Sequence, residues 1–423
     1  MNFILKKILL LVFVCTFNVC TLSVHADSLE VSLLTCSDGD IAYTMYGHTA
    51  LRVHNLTTGY DMVFNYGMFN LDEDRFVYKF VKGETDYILG AEPADYFVRR
   101  YAERGMGIKE QVLNITQEEC LRLFSILLEN IQPANRTYRY NWLYDNCTTR
   151  ARDAVERALY GRVSYKYKPD DVQEWAPQSA RQMLHPTASY RNRWVEFGQN
   201  FVLGCEIDRM LTPRESMFLP RQYSLYAAMS NIDRVEIVDK VDTILGRPII
   251  MRSDTFVCTV PLISTERELL PVRNFHDARL LDPPFVTFTL LFIITLIVCV
   301  VELRRRKTFK WVDVIFCVLT GLAGILVSFL FFFSEHAGVD SNAMVILFNP
   351  LPFLWIPFCI RRKVRILSYA ILAVFVIFFI AIIAVGQHVD FAFWPLVSTL
   401  LLRVVVNAWL SNQKYVTLQN MRK

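Results

Sequence analysis

The hydrophobic pattern divides the chain into three parts. A short apolar run follows Lys6 and Lys7, residues 28–283 alternate apolar and polar positions, and long apolar stretches dominate the rest. The long stretches each approach the roughly 20 residues that cross a bilayer core. They are five, at residues 285–303, 312–333, 343–360, 366–386 and 391–410.

Residues 28–163 predict a small antiparallel beginning followed by mixed helices and strands. Alternation predicts strands over 31–35, 49–53, 62–66, 112–115 and 138–142. Helical spacing predicts helices over 73–82, 94–103, 117–131 and from Asn146 or Cys147 to the stop at Gly161. Thr116 and Glu119 have the spacing of a capping box at the start of the third helix.

Residues 164–283 change in character and are interpreted as a second lobe. They are richer in Trp, Tyr, Arg and Pro, and they predict a short helix over 213–218 and a hairpin of 235–238 with 248–251 across Gly246. The expected segments are therefore a signal peptide (1–26), a core (27–163), a second extracytoplasmic lobe (164–283), a five-helix transmembrane domain (284–411) and a cytoplasmic tail (412–423).

Charge predicts the orientation of the chain in the membrane. The loops at 304–307 and 361–365 and the C-terminal residues are basic, which places them in the cytoplasm by the positive-inside rule. The N-terminal run ends in Val24-His25-Ala26, typical of a signal peptide cleaved after Ala26. Both signals place residues 27–283 outside, in the periplasm of a protein of the bacterial inner membrane. Arg403 and Asn407 are expected to reach toward the cytoplasmic surface.

The composition excludes some classes of function. The net charge of +4 is largely explained by the basic loops, so it does not indicate nucleic-acid binding. Five cysteines remain outside the signal peptide and the apolar stretches: Cys36, Cys120, Cys147, Cys205 and Cys258. An odd number leaves at least one free or paired with another molecule. No C-x-x-C occurs, and we predict no metal and no cofactor.

The strongest candidate chemistry is a Cys147–His48 pair. Cys147 stands at a predicted helix start, where the helix dipole lowers the pKa of a thiol, and His48 stands on an early strand. An imidazole within reach of the thiol can take its proton. Four further residues have possible orienting or supporting roles: Asn65, Asp61, Asn146 and Arg150. A buried or disulfide-bonded Cys147 with a structural His48 explains the local pattern as well.

Spaced motifs resemble a known family. They are Leu33 to Asp40, Gly47 to Arg52, Val63 to Gly67, Tyr140 to Trp142, Asp145 to Arg150 and Leu203 to Pro220, with Asn349-Pro350-Leu351 in the membrane block. In this order they are similar to the family whose periplasmic domain is named after Lnb, the lipoprotein N-acyltransferase of Bacteroides. The resemblance implies an α+β extracytoplasmic domain with a permuted papain-like catalytic core at 27–163, related to lecithin retinol acyltransferase and NlpC proteins. An all-α bundle of five transmembrane helices follows it.

The resemblance also implies a reaction. Cys147 would take an acyl chain from a phospholipid as a thioester and pass it to the α-amine of the N-terminal cysteine of a diacylated lipoprotein, with His48 as the base. Possible acceptor or lipid-site residues are Glu335, His336, Asn342 and Asn349. Two alternatives stay open: a membrane-tethered cysteine peptidase or amidase acting on the cell wall, and a non-enzymatic ligand-binding membrane protein with Cys147 in a disulfide.

Overall fold

The computed structural model describes residues 28–69, 74–165, 177–244, 247–271, 282–361 and 364–420. The predicted signal peptide and Gly246 of the predicted hairpin lie outside the described residues.

Two antiparallel sheets form the β part of the outer domain. The first has seven strands in the order β10-β5-β1-β2-β3-β4-β6, and the second has three in the order β7-β8-β9. The strands in the described residues are Leu29–Cys36 (β1), His48–Asn55 (β2), Asp61–Met68 (β3), Asp86–Pro93 (β4), Ile108–Leu113 (β5), Thr137–Arg139 (β6), Val163–Ser164 (β7), Asn231–Ile244 (β8), Arg247–Pro261 (β9) and Ile263–Leu270 (β10).

Helices cover both faces of the seven-stranded sheet. The α-helices of the outer domain are Phe76–Lys82 (α1), Ala94–Glu103 (α2), Gln117–Asn130 (α3), Cys147–Ala158 (α4), Ala180–Arg191 (α5), Arg193–Val202 (α6), Pro213–Ser216 (α7) and Pro220–Met229 (α8). Leu33 and Leu51 point to the face covered by α3, α4 and α8, whereas Leu34 and Ala50 point to the face covered by α2. Alternate residues of each strand therefore enter two separate cores.

Most of the predicted elements in residues 28–163 are confirmed. The capping box forms as expected, with the Thr116 side chain accepting from Glu119 N–H and the Glu119 side chain accepting from Thr116 N–H. The strand predicted at 138–142 is wrong, because β6 ends at Arg139. Asn141 Oδ1 accepts from the N–H groups of Leu143 and Tyr144, a local turn that takes the chain out of the ladder.

Two further corrections concern the strands. The strand predicted at 112–115 occupies Ile108–Leu113 instead, because its register is set by β1, where Cys36 pairs with Ile108. The predicted hairpin exists as β8 and β9, but its register is wrong: Val235 pairs with Val257, and Pro248 pairs with Thr243 next to the turn. The register is set by the alternation of apolar and polar positions along the full length of both strands. Segments of four residues are too short to reveal it.

The described residues between 177 and 271 share the core of the first part. Tyr223 and Tyr226 of α8 are buried in the same hydrophobic cluster as Leu33 and Leu51. Strand β10 pairs antiparallel with β5 and so forms an edge of the seven-stranded sheet. The second half of the outer domain thus completes the sheet and its core.

In the part of the chain that the structure describes, five candidate membrane spans follow the outer domain, as predicted. Their helices are Pro283–Arg305 (α9), Lys310–Phe333 (α10), Met344–Leu347 (α11), Pro352–Arg361 (α12), Arg365–Val385 (α13) and Phe393–Asn420 (α14). Helices α11 and α12 together form span 3, which is broken around Asn349 and Pro350. Spans 1, 2, 4 and 5 are α9, α10, α13 and α14.

The expectation for Arg403 and Asn407 is wrong. Arg403 is buried and pairs with Glu302 of span 1 and, at 2.6 Å, with Asp313 of span 2. Asn407 Nδ2 donates to Asp313 Oδ1 at 2.8 Å. Two carboxylates inside the helix bundle hold the guanidinium there, because an unpaired charge among apolar helices is costly.

The outer domain rests on the loops that follow spans 2 and 4. Gly204 N–H donates to Gly338 O, and His388 N–H donates to Asp208 Oδ2 at 3.1 Å. A buried apolar cluster joins the two parts through Leu143, Leu203 and Ile207 of the outer domain and Leu330, Ala337 and Val339 of the membrane block. Both loops lie on the side that charge assigns to the periplasm, so the contacts agree with that topology.

Candidate active site

Asn146 fixes the start of the helix that carries Cys147. Its Oδ1 accepts from Thr148 N–H at 2.8 Å and from Thr149 N–H at 3.0 Å, which caps α4. Its Nδ2 donates to Trp142 O at 2.8 Å and to Phe218 O at 3.0 Å. This buried amide therefore ties the half-buried Cys147 to two other segments.

His48 begins β2 and lies between Cys147 and Asn65. Its Nε2 and Asn65 Oδ1 are 2.6 Å apart, so Nε2 carries the proton and donates to the amide oxygen. Nδ1 is then the ring nitrogen that remains for the thiol. A neutral imidazole in this tautomer presents an acceptor to Cys147, which is what a general base requires.

Gly67 of β3 gives the two side chains their room. In the register set by the pair Leu51–Phe64, Gly67 lies opposite His48. A Cβ atom on Gly67 would stand 3.2 Å from His48 Cε1 and 3.5 Å from Cys147 Cβ, and its φ of +117° is unfavourable for other residues. Sequence reasoning did not single out Gly67, although a glycine inside a strand pattern often marks such a close approach.

The electrostatics favour an ionised pair. Burial, the largest effect, would raise the pKa of Cys147, but the charge and hydrogen bond of His48, with Thr49 N–H and the Thr148 hydroxyl, lower it to about 7. For His48, burial lowers the pKa, while the Cys147 thiolate and the hydrogen bonds to Cys147 and Asn65 raise it above its usual value. The two shifts point the same way, toward thiolate and imidazolium.

The cysteines differ in their surroundings. In the described part of the outer domain, Cys36, Cys120, Cys147 and Cys205 carry free thiols. Burial raises the pKa of Cys36 far above its ordinary value, and burial raises that of Cys120 to about 11. Thiolate character at neutral pH therefore belongs to Cys147 rather than to these two buried neighbours.

Two of the residues proposed to support the pair are engaged elsewhere. Asp61 binds Arg52 through both carboxylate oxygens, at 2.7 and 2.6 Å. Arg150 binds Asp145 at 2.6 and 2.7 Å, and its guanidinium stacks 3.8 Å from the centre of the Tyr138 ring. The structure thus brings Asn65, and not Asp61 or Arg150, to His48.

Glu335 and His336 lie where the outer domain meets the loop after span 2. Glu335 pairs with Arg139 at 3.1 Å, and His336 Nε2 is 2.6 Å from Phe80 O, to which it donates. Their backbones pack against Gly83, where a Cβ atom would stand 2.9 Å from His336 N. Both residues therefore join the membrane block to the segment around α1.

Asn342 and Asn349 have internal partners. Buried Asn342 donates from Nδ2 to Phe201 O at 2.9 Å and accepts from Gln387 Nε2 at 2.9 Å. Asn349 Nδ2 donates to Val345 O and Ile346 O, and its Oδ1 accepts from Leu351 N–H, at the break of span 3. Neither is in hydrogen-bond contact with the Cys147–His48 pair.

Two models of known protein families match the chain. The model of the Lnb N-terminal periplasmic domain matches residues 16–178, and the model of the Lnb transmembrane domain matches residues 276–415. The chain belongs to the Lnb family. Family membership implies an acyltransferase, and it makes the chain a multi-pass membrane protein with an N-terminal periplasmic domain. No curated protein and no solved structure matches the chain.

Proposed function

We propose that this protein is a lipoprotein N-acyltransferase of the inner membrane that works through a thioester on Cys147. The thiolate attacks the ester carbonyl carbon of a phospholipid, the acyl C–O bond breaks, and the departing lysophospholipid oxygen takes the proton from His48. The α-amine of a diacylated lipoprotein then attacks the thioester. His48 takes the proton of that amine, the C–S bond breaks, and the thiolate is regenerated.

The observation that carries the proposal is the Cys147–His48–Asn65 arrangement. The thiol with a pKa of about 7, the imidazole and the amide at 2.6 Å from Nε2 correspond to the Cys-His-Asn set of papain-like enzymes. This correspondence supports a permuted papain-like core, with Asn65 as the residue that orients His48. The free thiol of Cys147 also argues against the non-enzymatic alternative, which places this cysteine in a disulfide.

The start of α4 supplies an oxyanion donor. The Asn146 cap takes the N–H groups of Thr148 and Thr149, so these two amides are not available to a substrate. The amide of Cys147 itself remains at the helix start, next to the atom that becomes a tetrahedral centre. We assign the Cys147 N–H as the donor that stabilises the oxyanion.

The attachment of the site to the membrane block favours a lipid substrate over a cell-wall peptide. Trp142 Nε1, five residues before the thiol, donates to Ala337 O in the loop after span 2 at 3.2 Å. Arg139 pairs with Glu335 of the same loop. A nucleophile held beside the loop after span 2 can reach the ester of a phospholipid at the membrane surface. Glu335 and His336 remain our candidates for seating the acceptor.

Acylation of the purified full-length protein without acceptor tests this function. Phospholipid vesicles should leave an acyl group on Cys147, detected by mass spectrometry and removed by neutral hydroxylamine, which cleaves thioesters but not amides. Cys147→Ala should carry no adduct, and His48→Ala should form it at least about 100-fold more slowly because general-base catalysis contributes that much.

Cys205→Ala is the matched control, since Cys205 is another free, partly buried cysteine of the outer domain. It should be acylated like the wild type. If the wild-type protein acquires no acyl group but cleaves cell-wall peptides through Cys147, the peptidase alternative replaces the acyltransferase.

A further inference from the structure

Helix α1 is unusual in the outer domain because its apolar side chains face outward. Its sequence is Phe-Val-Tyr-Lys-Phe-Val-Lys, and none of its residues is fully buried. The exposed fractions are 73% for Val77, 51% for Tyr78 and 43% for Phe80. An apolar helix of this kind normally lies against a membrane or another partner.

The outer end of span 2 holds α1 at the level of the membrane. Ser334 Oγ donates to Val81 O at 2.9 Å, and Glu335 N–H donates to Lys82 O at 2.8 Å. The ring of Tyr78 lies 6.0 Å from that of Phe329, which is more than one helical turn before the end of the span. The exposed side of α1 therefore reaches the depth of the outermost part of span 2.

A continuous row of aromatic rings leads from α1 to the surroundings of Cys147. The centroids of Phe80 and Phe76 are 6.0 Å apart, those of Phe76 and Phe69 are 5.7 Å apart, and those of Phe69 and Tyr87 are 4.9 Å apart. Tyr87 stacks on Tyr140 at 4.2 Å. Tyr87, Tyr140 and Cys147 belong to the same hydrophobic cluster, so the row ends in the surroundings of the nucleophile.

The exposure of the rings changes in one direction along this row. Phe80 is exposed, Phe76 and Phe69 are half-buried, and Tyr87 is buried. Tyr43, 51% exposed, contacts the edge of Phe69 at 5.7 Å and adds apolar surface beside it. The apolar surface is therefore open at the membrane and closes toward the thiol.

We propose that this aromatic row, Phe80-Phe76-Phe69-Tyr87, binds the acyl chain of the donor phospholipid and leads its ester to Cys147. The proposal rests on the thioester function above and names where that substrate lies. One end of the row lies beside the outer end of span 2, where lipid chains are, and the other lies in the hydrophobic cluster that also contains Cys147. A surface made of aromatic rings binds an apolar chain through burial and offers little to a polar peptide.

Photo-crosslinking tests the binding without catalysis. Full-length Cys147→Ala protein is placed in vesicles of phosphatidylethanolamine that carries a diazirine along one acyl chain, irradiated and digested. The expected crosslinks fall on Phe76, Phe80 and Phe69, in addition to the membrane spans. Labels confined to the membrane spans would overturn the proposal.

A second experiment uses two donors with the active protein. Vesicle phospholipid and soluble p-nitrophenyl acetate each acylate Cys147, and the ratio of the two rates is measured. Val77→Ser/Phe80→Ser should lower this ratio at least about tenfold, because losing about 1.4 kcal/mol of apolar burial corresponds to that factor. Both positions are exposed, so the change leaves the core intact.

Tyr96→Ser is the matched control, because Tyr96 is a comparably exposed aromatic residue on α2. Its ratio should equal that of the wild type, and an equal fall in both variants would overturn the proposal. The outcomes are separable from those of the proposed function. A wild-type protein that is crosslinked at the row but never acylated by phospholipid refutes the thioester scheme alone, whereas normal acylation with no crosslink refutes the row alone.

Discussion

At the scale of single residues, reactivity depends on which atoms lie beside the Cys147 sulfur. Burial would keep the thiol protonated, but the charge and hydrogen bond of His48, with the backbone N–H of Thr49 and the Thr148 hydroxyl, lower its pKa. Asn65 Oδ1 accepts from Nε2 of the imidazole, and Gly67 leaves space beside the ring. These residues come from β2, β3 and α4, so the chemistry depends on the sheet register.

The pKa values predict the pH dependence of thiol reactivity. Alkylation of Cys147 by iodoacetamide should increase with pH around a midpoint near 7, since the thiolate is the nucleophile. In His48→Ala the midpoint should move to about 8.5 or above, which lowers the rate at pH 7 more than about tenfold. Rates for Cys147→Ala measure the contribution of other cysteines. An unchanged midpoint in His48→Ala would contradict the ion pair.

Acyl transfer itself should have a second limb at higher pH. The raised pKa of His48 keeps its imidazolium charged above the pH at which a free histidine loses its proton. Acylation by phospholipid needs that proton for the departing oxygen, so its rate should fall once His48 deprotonates. Alkylation by iodoacetamide needs no such proton and should stay high there.

At the scale of elements, the sequence predicted correctly those features that depend on interactions between residues close together in the chain. The Thr116–Glu119 capping box and the start of α4 at Cys147 involve only near neighbours, and both are present. The pairing of β10 with β5 joins residues about 150 positions apart, and no window of the sequence contains it. A pairing between distant residues was also missed in the membrane block, where Arg403 of span 5 pairs with Glu302 of span 1.

The residues of the candidate site divide in the same way, into those that local sequence indicates and those that only the fold brings together. The resemblance and the helix start singled out Cys147 and His48, but Asp61 and Asn65 were equivalent candidates, because residues four apart on a strand share a face. The register separates them: Asp61 lies opposite His54, whereas Asn65 lies near the end of β3 that faces His48. Only the folded sheet contains this information.

The Asn146 cap should couple helix stability to thiol reactivity. Asn146→Ala removes the acceptor for two amides and should lower the free energy of unfolding by about 1–2 kcal/mol. It should also slow alkylation of Cys147, because the first turn that positions the thiol loses its anchor. Thermal unfolding of the detergent-solubilised protein and iodoacetamide kinetics measure the two effects.

Asn192→Ala is the matched control for this cap. Asn192 caps α6 in the same manner, accepting from Trp194 N–H and Val195 N–H, and lies outside the candidate site. This variant should lose stability while alkylation of Cys147 keeps its wild-type rate. If Asn146→Ala slows alkylation no more than Asn192→Ala does, the cap has a structural role only.

At the scale of the whole molecule, the periplasmic domain and the membrane block form one assembly around the loops after spans 2 and 4. Arg193 of α6 joins Asp282, next to the start of span 1, and Asp390, in the loop after span 4. Asn200 donates to the same Asp390 at 2.8 Å. These contacts leave the site little freedom to move away from the membrane.

The topology is testable by reporter fusions. An enzyme that is active only in the periplasm should be active when it is fused after Asp340 or after Asp390. Both positions lie in loops that contact the periplasmic domain, after span 2 and after span 4. The same enzyme fused after Lys363, in the basic loop between spans 3 and 4, should be silent. The reverse pattern of activities would contradict the five-span arrangement.

At Gly204 the backbone of the periplasmic domain lies against the loop after span 2. A Cβ atom there would stand 2.3 Å from the backbone carbon of Ser341 and 2.4 Å from the nitrogen of Asn342, so Gly204→Ala must push the periplasmic domain and the loop after span 2 apart. We expect the ratio of acylation by vesicle phospholipid to acylation by p-nitrophenyl acetate to fall several-fold. The soluble ester reaches Cys147 from water, whereas the phospholipid depends on the distance between the site and the membrane. Gly198→Ala is the matched control, because among the described residues nothing beyond the backbone of its own helix lies within 4 Å of the added Cβ, and alanine suits the middle of α6. A ratio that is equal in the two variants would mean that the docking of the periplasmic domain does not govern access of the lipid to Cys147.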